Sequence, residues 1–218
     1  HNLVKDDDLA EQLITLPPLV LFYAWFSFSF MPLLVIILCS DTIARDVNSR
    51  YVRFNLFRTS RAAYSIGKTI SSASILLVAL AVSSISVMII GVFRVHSFSF
   101  FGSLPVMMGF VIKCWVYSLA FLGVALLASQ LRKTPLTAQI LGLVIFFFLI
   151  IISPIAEALS GPGFSRLWEL GKLISPSNYV MNLWHPNIVT NLKASSFCIG
   201  LGIFYFSIGF SVFSRRDL

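Results

Sequence analysis

Residues 12 to 40 carry no charged side chain, and neither do residues 69 to 93, 134 to 156 or 194 to 214. Residues 95 to 131 carry only Lys113. About 20 apolar residues suffice for a helix to cross ~30 Å of hydrocarbon at ~1.5 Å per residue. Each run is too long for a strand, and in lipid a backbone must satisfy its own hydrogen bonds, which selects helices. Five spans are therefore expected, near 17–40, 69–93, 105–130, 135–156 and 194–213. The fold class is an all-α polytopic membrane bundle. The chain is 57% hydrophobic and 11% charged, with mean hydropathy +0.89. A soluble domain carries about 25% charged residues, so one aqueous core cannot hide this apolar load.

The net charge of +7 does not point to nucleic acid, because the basic residues fall between spans. Alternating loops place Arg45, Arg50, Arg53, Arg58, Arg61, Lys68, Arg132, Lys133, Arg215 and Arg216 on one side. The other side holds Lys5, Arg94, Arg166, Lys172 and Lys193. By the positive-inside rule the richer side is cytoplasmic, as in a multi-pass protein of a bacterial cytoplasmic membrane. The segment with Asp6, Asp7, Asp8 and Glu11 is then outside. It has no signal-peptide n-region or cleavage site. A further span ahead of His1 is the simplest way to place it there, so six spans are expected of the intact protein.

Several chemistries lack their parts. Gly67-Lys68-Thr69 ends like a phosphate-binding loop, but Ala62 stands where that motif needs its first glycine and no strand precedes it. A rhomboid-like intramembrane protease needs Gly-x-Ser in one span and His in another. Here Ser160-Gly161 lies at a span end, and His1, His96 and His185 lie outside the spans. No expected span holds an acidic residue, so metal-dependent catalysis lacks ligands. Cys39, Cys114 and Cys198 sit in apolar runs with no metal or disulfide spacing and read as small buried hydrophobes. No catalytic, cofactor-binding or metal-binding residue is expected.

Four features remain. Lys113 is the one charge inside a span: either it snorkels to the outer headgroups or it lines a pathway. Ser71, Ser72, Ser74, Ser83, Ser84 and Ser86 in the second span, and Cys198, Gly202 and Gly209 in the last, read as small-residue packing faces, with a substrate-path lining as the alternative. Residues 157–192 are broken by Gly161-Pro162-Gly163 and Pro176 and carry Trp168, Tyr179 and Trp184. They are expected to form short helices at the outer interface, too short to span. In residues 41–68, Asp41 is placed to cap a helix. Ile43, Val47, Tyr51 and Phe54 recur at helical steps with Arg45, Arg50 and Arg53 between them, which predicts one amphipathic helix at the cytoplasmic surface. Anionic headgroups are one natural partner for it.

The order Arg45-Asp46, Asn48-Ser49, an apolar stretch from Val52 to Phe57, Ser60-Arg61 and then Gly67-Lys68 resembles the ABC type-2 exporter permeases. Asp46 stands where the family has Glu, Ser49-Arg50 near its Gly-Thr, and Thr59 near its Pro. Three spans in quick order, an outer Ser175-Pro176 and the ending Phe213-Ser214-Arg215-Arg216-Asp217-Leu218 are also similar. The resemblance implies one permease domain over residues 1–218, without ATPase activity of its own. It pairs with a second permease half, and separate ATPase subunits binding ATP and Mg dock beneath. The loop at 41–68 would then be the coupling helix, with Arg45, Asp46, Arg50, Val52, Arg53 and Phe54 engaging the ATPase. The alternative is a channel or scaffold subunit whose basic loop binds lipid.

Overall fold

The computed structural model describes residues 16–52, 57, 59–94, 99–158, 171, 173–185 and 187–215. Among the described residues, five helices are long and apolar enough to cross a membrane. They are α1 (Pro18–Cys39), α3 (Arg61–Arg94), α4 (Phe100–Leu131), α5 (Pro135–Ala158) and α7 (Ile188–Ser214), with the short α2 (Thr42–Asn48) and α6 (Val180–Trp184) between them. A 3₁₀ turn, Pro176–Tyr179, leads into α6. No strand occurs among the described residues. The protein is an all-α multi-pass membrane bundle, as the charge-free runs require.

The helices outrun the charge-free segments that predict them. α3 begins at Arg61, eight residues before the apolar run, because Ser60 starts it: its Oγ accepts from the Ala63 N–H at 3.2 Å and its carbonyl from Tyr64 at 3.0 Å. Gly67-Lys68-Thr69 is thus helix interior. Its N–H groups are committed to the carbonyls one turn back, so they cannot cradle a phosphate. α7 starts at Ile188, six residues before its charge-free run, where Asn187 Oδ1 accepts from the Val189 N–H at 2.9 Å. Lys193 therefore lies on the helix and does not mark its end.

α4 is the hub. It packs against all four other long helices, and every residue from Ala120 to Gln130 is buried. Small side chains make that possible. A Cβ on Gly202 would stand 2.6 Å from the Leu119 carbonyl oxygen, and one on Gly123 would stand 2.8 Å from the Gly202 Cα. On Gly209 it would meet the Leu127 Cα at 2.9 Å. The backbones of α4 and α7 therefore touch, running in the same direction with 119–123 beside 202 and 127–130 beside 209. The expected face of Cys198, Gly202 and Gly209 is this contact; all three are buried.

α3 contributes a narrower stripe, Ser65, Ser72, Leu76, Leu80, Ser84 and Met88, and exposes most of the rest. The expected serine face is thus split. Ser72 and Ser84 pack inward, whereas the exposed Ser74 and Ser86 return their hydroxyls to the Ile70 and Val82 carbonyls. Polar side chains also tie α3 to its neighbours midway along the bundle. Trp115 Nε1 donates to the Ala73 carbonyl at 2.8 Å, and Tyr23 Oη donates to the Leu80 carbonyl at 3.0 Å.

The segment around α6 sinks into the bundle. Ser175 Oγ donates to the Leu149 carbonyl at 2.7 Å. Leu149 is 14 residues along α5 from Pro135, about 21 Å at 1.5 Å per residue, well short of a full crossing. Trp184 packs edge-on to Phe28 and Phe110, each with centroids 5.5 Å away, and Leu183 is fully buried. Asn191 Nδ2 and Tyr205 Oη close the loop by donating to the carbonyls of Leu183 and Ile174. This is the expected short, non-spanning element, with Pro176 opening the 3₁₀ turn rather than only ending a helix before it. Gly161-Pro162-Gly163 and Trp168 lie outside the described residues.

Gly202→Leu should cost about 3 kcal/mol, the upper end of ordinary overpacking, because the obstacle is backbone. Gly200→Leu, on the open side of the same helix where an added Cβ meets nothing within 4 Å, should leave stability unchanged. Thermal unfolding in detergent micelles compares them, and equal midpoints for the two variants would refute the backbone contact.

Candidate functional site

The basic end of the bundle gathers the carbonyl ends of α1, α4 and α7 and the starts of α3 and α5. The short α2 follows α1 there and packs against α3, α4 and α5. Asp41 stands at the N-cap of α2, as the sequence predicts, but its carboxylate makes no cap hydrogen bond. It is buried and turned instead to Arg45, whose side chain is 69% exposed, and to Gln139 Nε2 at 3.5 Å. The cap comes from another helix. Ser129 Oγ of α4 accepts from the Ile43 N–H at 2.8 Å and the Ala44 N–H at 3.0 Å. Ser129, Ile43 and Ala44 are all fully buried, so the first turn of α2 is fastened to the hub helix.

A second fastening binds α2 to α3. Lys68 Nζ is 2.8 Å from Asp46 Oδ2, and Tyr64 Oη donates to the same oxygen at 2.5 Å. Beneath them, Gln130 Nε2 of α4 donates to Ser65 Oγ of α3 at 2.7 Å. Arg61 donates to the Ser214 carbonyl at 2.6 Å, capping α7 where its last carbonyls lack helical donors. Ser60-Arg61 therefore has a structural account: the serine starts α3 and the arginine closes α7.

The structure corrects the single amphipathic helix over Ile43 to Phe54. α2 ends at Asn48, and Arg50 takes φ +60°, the only positive φ on a non-glycine residue among those described. Its N–H reaches back to the Val47 carbonyl at 3.2 Å, the hydrogen bond of a left-handed helix ending. Such endings favour glycine, since a Cβ is strained there. The periodicity continues across this break because Val52 returns to the core, 1% exposed.

The six predicted coupling residues thus divide. Arg45 is exposed on α2 and Arg50 just past its end, with Tyr51 56% exposed beside Arg50. Asp46 and Val52 face inward: Asp46 pairs with Lys68 and Tyr64, and Val52 packs in the core. Arg53 and Phe54 lie outside the described residues. Lys113 belongs to none of this. It lies 18 residues from Leu131 on α4, about 27 Å away. Its ammonium is 5.6 Å from the centroid of the Phe110 ring. That level is close to the far edge of a ~30 Å hydrocarbon layer, which favours the headgroup reading over a pathway.

The sequence reading missed Ser129, Gln130 and Tyr64. A Ser-Gln pair closing an otherwise apolar run was the only signal for Ser129 and Gln130, and Tyr64 had none. The three cysteines are free and buried, as expected of small hydrophobes.

Ser129→Ala leaves two buried N–H groups without an acceptor and should cost about 1–2 kcal/mol. Amide hydrogen exchange at Ile43 and Ala44 should accelerate while that of mid-α4 does not. Arg50→Gly should raise stability by about 1 kcal/mol through relief of the left-handed backbone; a loss of stability would contradict the strained ending. No family model matches the chain, and no curated protein shows significant similarity to it.

Proposed function

We propose that this chain is the permease subunit of an ATP-driven exporter of the ABC type-2 kind. In this reading it is a single transmembrane domain, paired with a second permease half in a bacterial cytoplasmic membrane. Separate ATPase subunits, which bind ATP and Mg, dock on its basic end. The observation that carries the reading is the double fastening of α2, to α4 through Ser129 and to α3 through Asp46, with Arg45 and Arg50 left facing outward.

A coupling element must convert a push from outside into displacement of the spans. A helix held only by headgroups slides over the surface and transmits little. α2 has its first turn capped by the hub helix and its middle paired to Lys68 and Tyr64, so it can move only with the helices it is tied to. Its exposed arginines supply donors for acidic groups lining a partner cleft. Lys68, which resembles a nucleotide-binding residue in the sequence, acts here within the permease by holding Asp46.

The competing reading is a channel or scaffold subunit with a lipid-binding loop. The exposed aromatic Tyr51 and Phe57, 56% and 87% accessible, favour it, since aromatic rings settle at headgroup level.

Replacing Arg50, Arg53 and Phe54 together by Ala should weaken ATPase docking at least about 30-fold, the scale of a lost interface anchor, and abolish transport-linked ATP hydrolysis in nanodiscs. Asp46→Ala should leave docking intact but cut transport about tenfold, because the push no longer reaches α3. Normal hydrolysis and transport in the triple variant, with only additive loss of membrane contact, would reject coupling in favour of lipid binding.

A further inference from the structure

The outer half of α7 carries a groove that the bundle does not fill. Its volume is about 750 Å³, and Ile188, Leu192, Lys193, Ser196, Phe197 and Gly200 form its wall. On the membrane side of Lys193 the residues Ser196, Phe197 and Gly200 are exposed, and an added Cβ at Gly200 would meet nothing within 4 Å. One side is fixed: the Phe197 ring stacks on Tyr179 of the 3₁₀ turn, with centroids 4.4 Å apart.

Its depth follows from the helix. Lys193 lies 22 residues from Arg215, about 33 Å along the axis. With Arg215 at one membrane face, Lys193 falls in the headgroup layer of the other, just beyond ~30 Å of hydrocarbon. From Lys193 the groove descends to Leu201, about 12 Å, most of one leaflet. A cation thus heads an apolar channel of one leaflet's depth.

We propose that this groove holds an anionic phospholipid of the bilayer, its phosphate paired with Lys193 and one acyl chain laid over Ser196 and Gly200. A second copy of α7 is the other conceivable occupant, since Ser196 and Gly200 have small-residue spacing. Charge decides between them. A symmetric pair of α7 helices meeting along this groove brings two Lys193 ammonium groups together without an anion, whereas a phosphate neutralises one.

The assay is native mass spectrometry of the purified protein released from mixed phosphatidylglycerol and phosphatidylcholine micelles, with oligomeric state read from the same spectra. Wild type should retain phosphatidylglycerol over phosphatidylcholine by about fivefold, the scale of one basic residue at an anionic surface. Lys193→Gln should bring that ratio near one, and Lys193→Arg should keep it. Gly200→Leu fills the groove without touching the protein's own packing and should reduce retention of both lipids. An unchanged ratio in Lys193→Gln overturns the proposal. So does a Gly200→Leu variant that keeps its lipid but changes its oligomeric state, which would give the groove to a second copy.

Discussion

The backbone contact between α4 and α7 sets the terms for everything else in this bundle. In lipid, apolar side chains gain little by leaving one hydrocarbon for another, so helices associate through close packing and internal polar bonds. Gly123 and Gly202 bring the two backbones together, and Gly209 extends the contact toward the basic end. α4 becomes a buried mast from Ala120 to Gln130, and the other helices lean on it. Its last buried turn carries Ser129 and Gln130, so the helix that organises the core also delivers the cap of α2 and the hydrogen bond to α3.

The two ends of the bundle are built from different materials. At the basic end the joints are charged or strongly polar: Asp41 with Arg45, Asp46 with Lys68 and Tyr64, and Arg61 on the end of α7. At the opposite end aromatic packing, Trp184 between Phe28 and Phe110 and Tyr179 on Phe197, adds to neutral hydrogen bonds from Ser175, Asn191 and Tyr205 to backbone carbonyls. Polar joints fix direction and register, which suits an element that must pass on a displacement. Aromatic packing tolerates small rotations, which suits the end where a pathway would open under the proposed exporter cycle.

Much of this was legible in the sequence, and the rest was hidden for physical reasons. Charge-free runs revealed the five spans because the cost of unpaired backbone and charge in hydrocarbon leaves few choices. Their ends were less legible, since helices continue past the bilayer wherever a cap allows, as Ser60 and Asn187 do. The small face of α7 was readable from spacing alone. The break at Arg50 was not, because the apolar period of Ile43, Val47 and Val52 continues across it. The capping of α2 by Ser129 was out of reach. It joins residues 86 positions apart, and a helix with Asp41 at its head seemed already capped. The coupling reading rested on pattern resemblance; of its six residues the structure describes four, with Arg45 and Arg50 exposed and Asp46 and Val52 turned inward.

If α2 is rigidly part of the bundle, it must keep one distance from the other basic-end loop. Spin labels on cysteines replacing the exposed Arg45 and Arg132, read by pulsed electron resonance in nanodiscs, measure that distance directly. The account predicts a single narrow distribution, and one that shifts as a unit when an ATPase partner and nucleotide are added. A broad distribution that is insensitive to the partner would describe a helix adrift on the headgroups and would contradict the account.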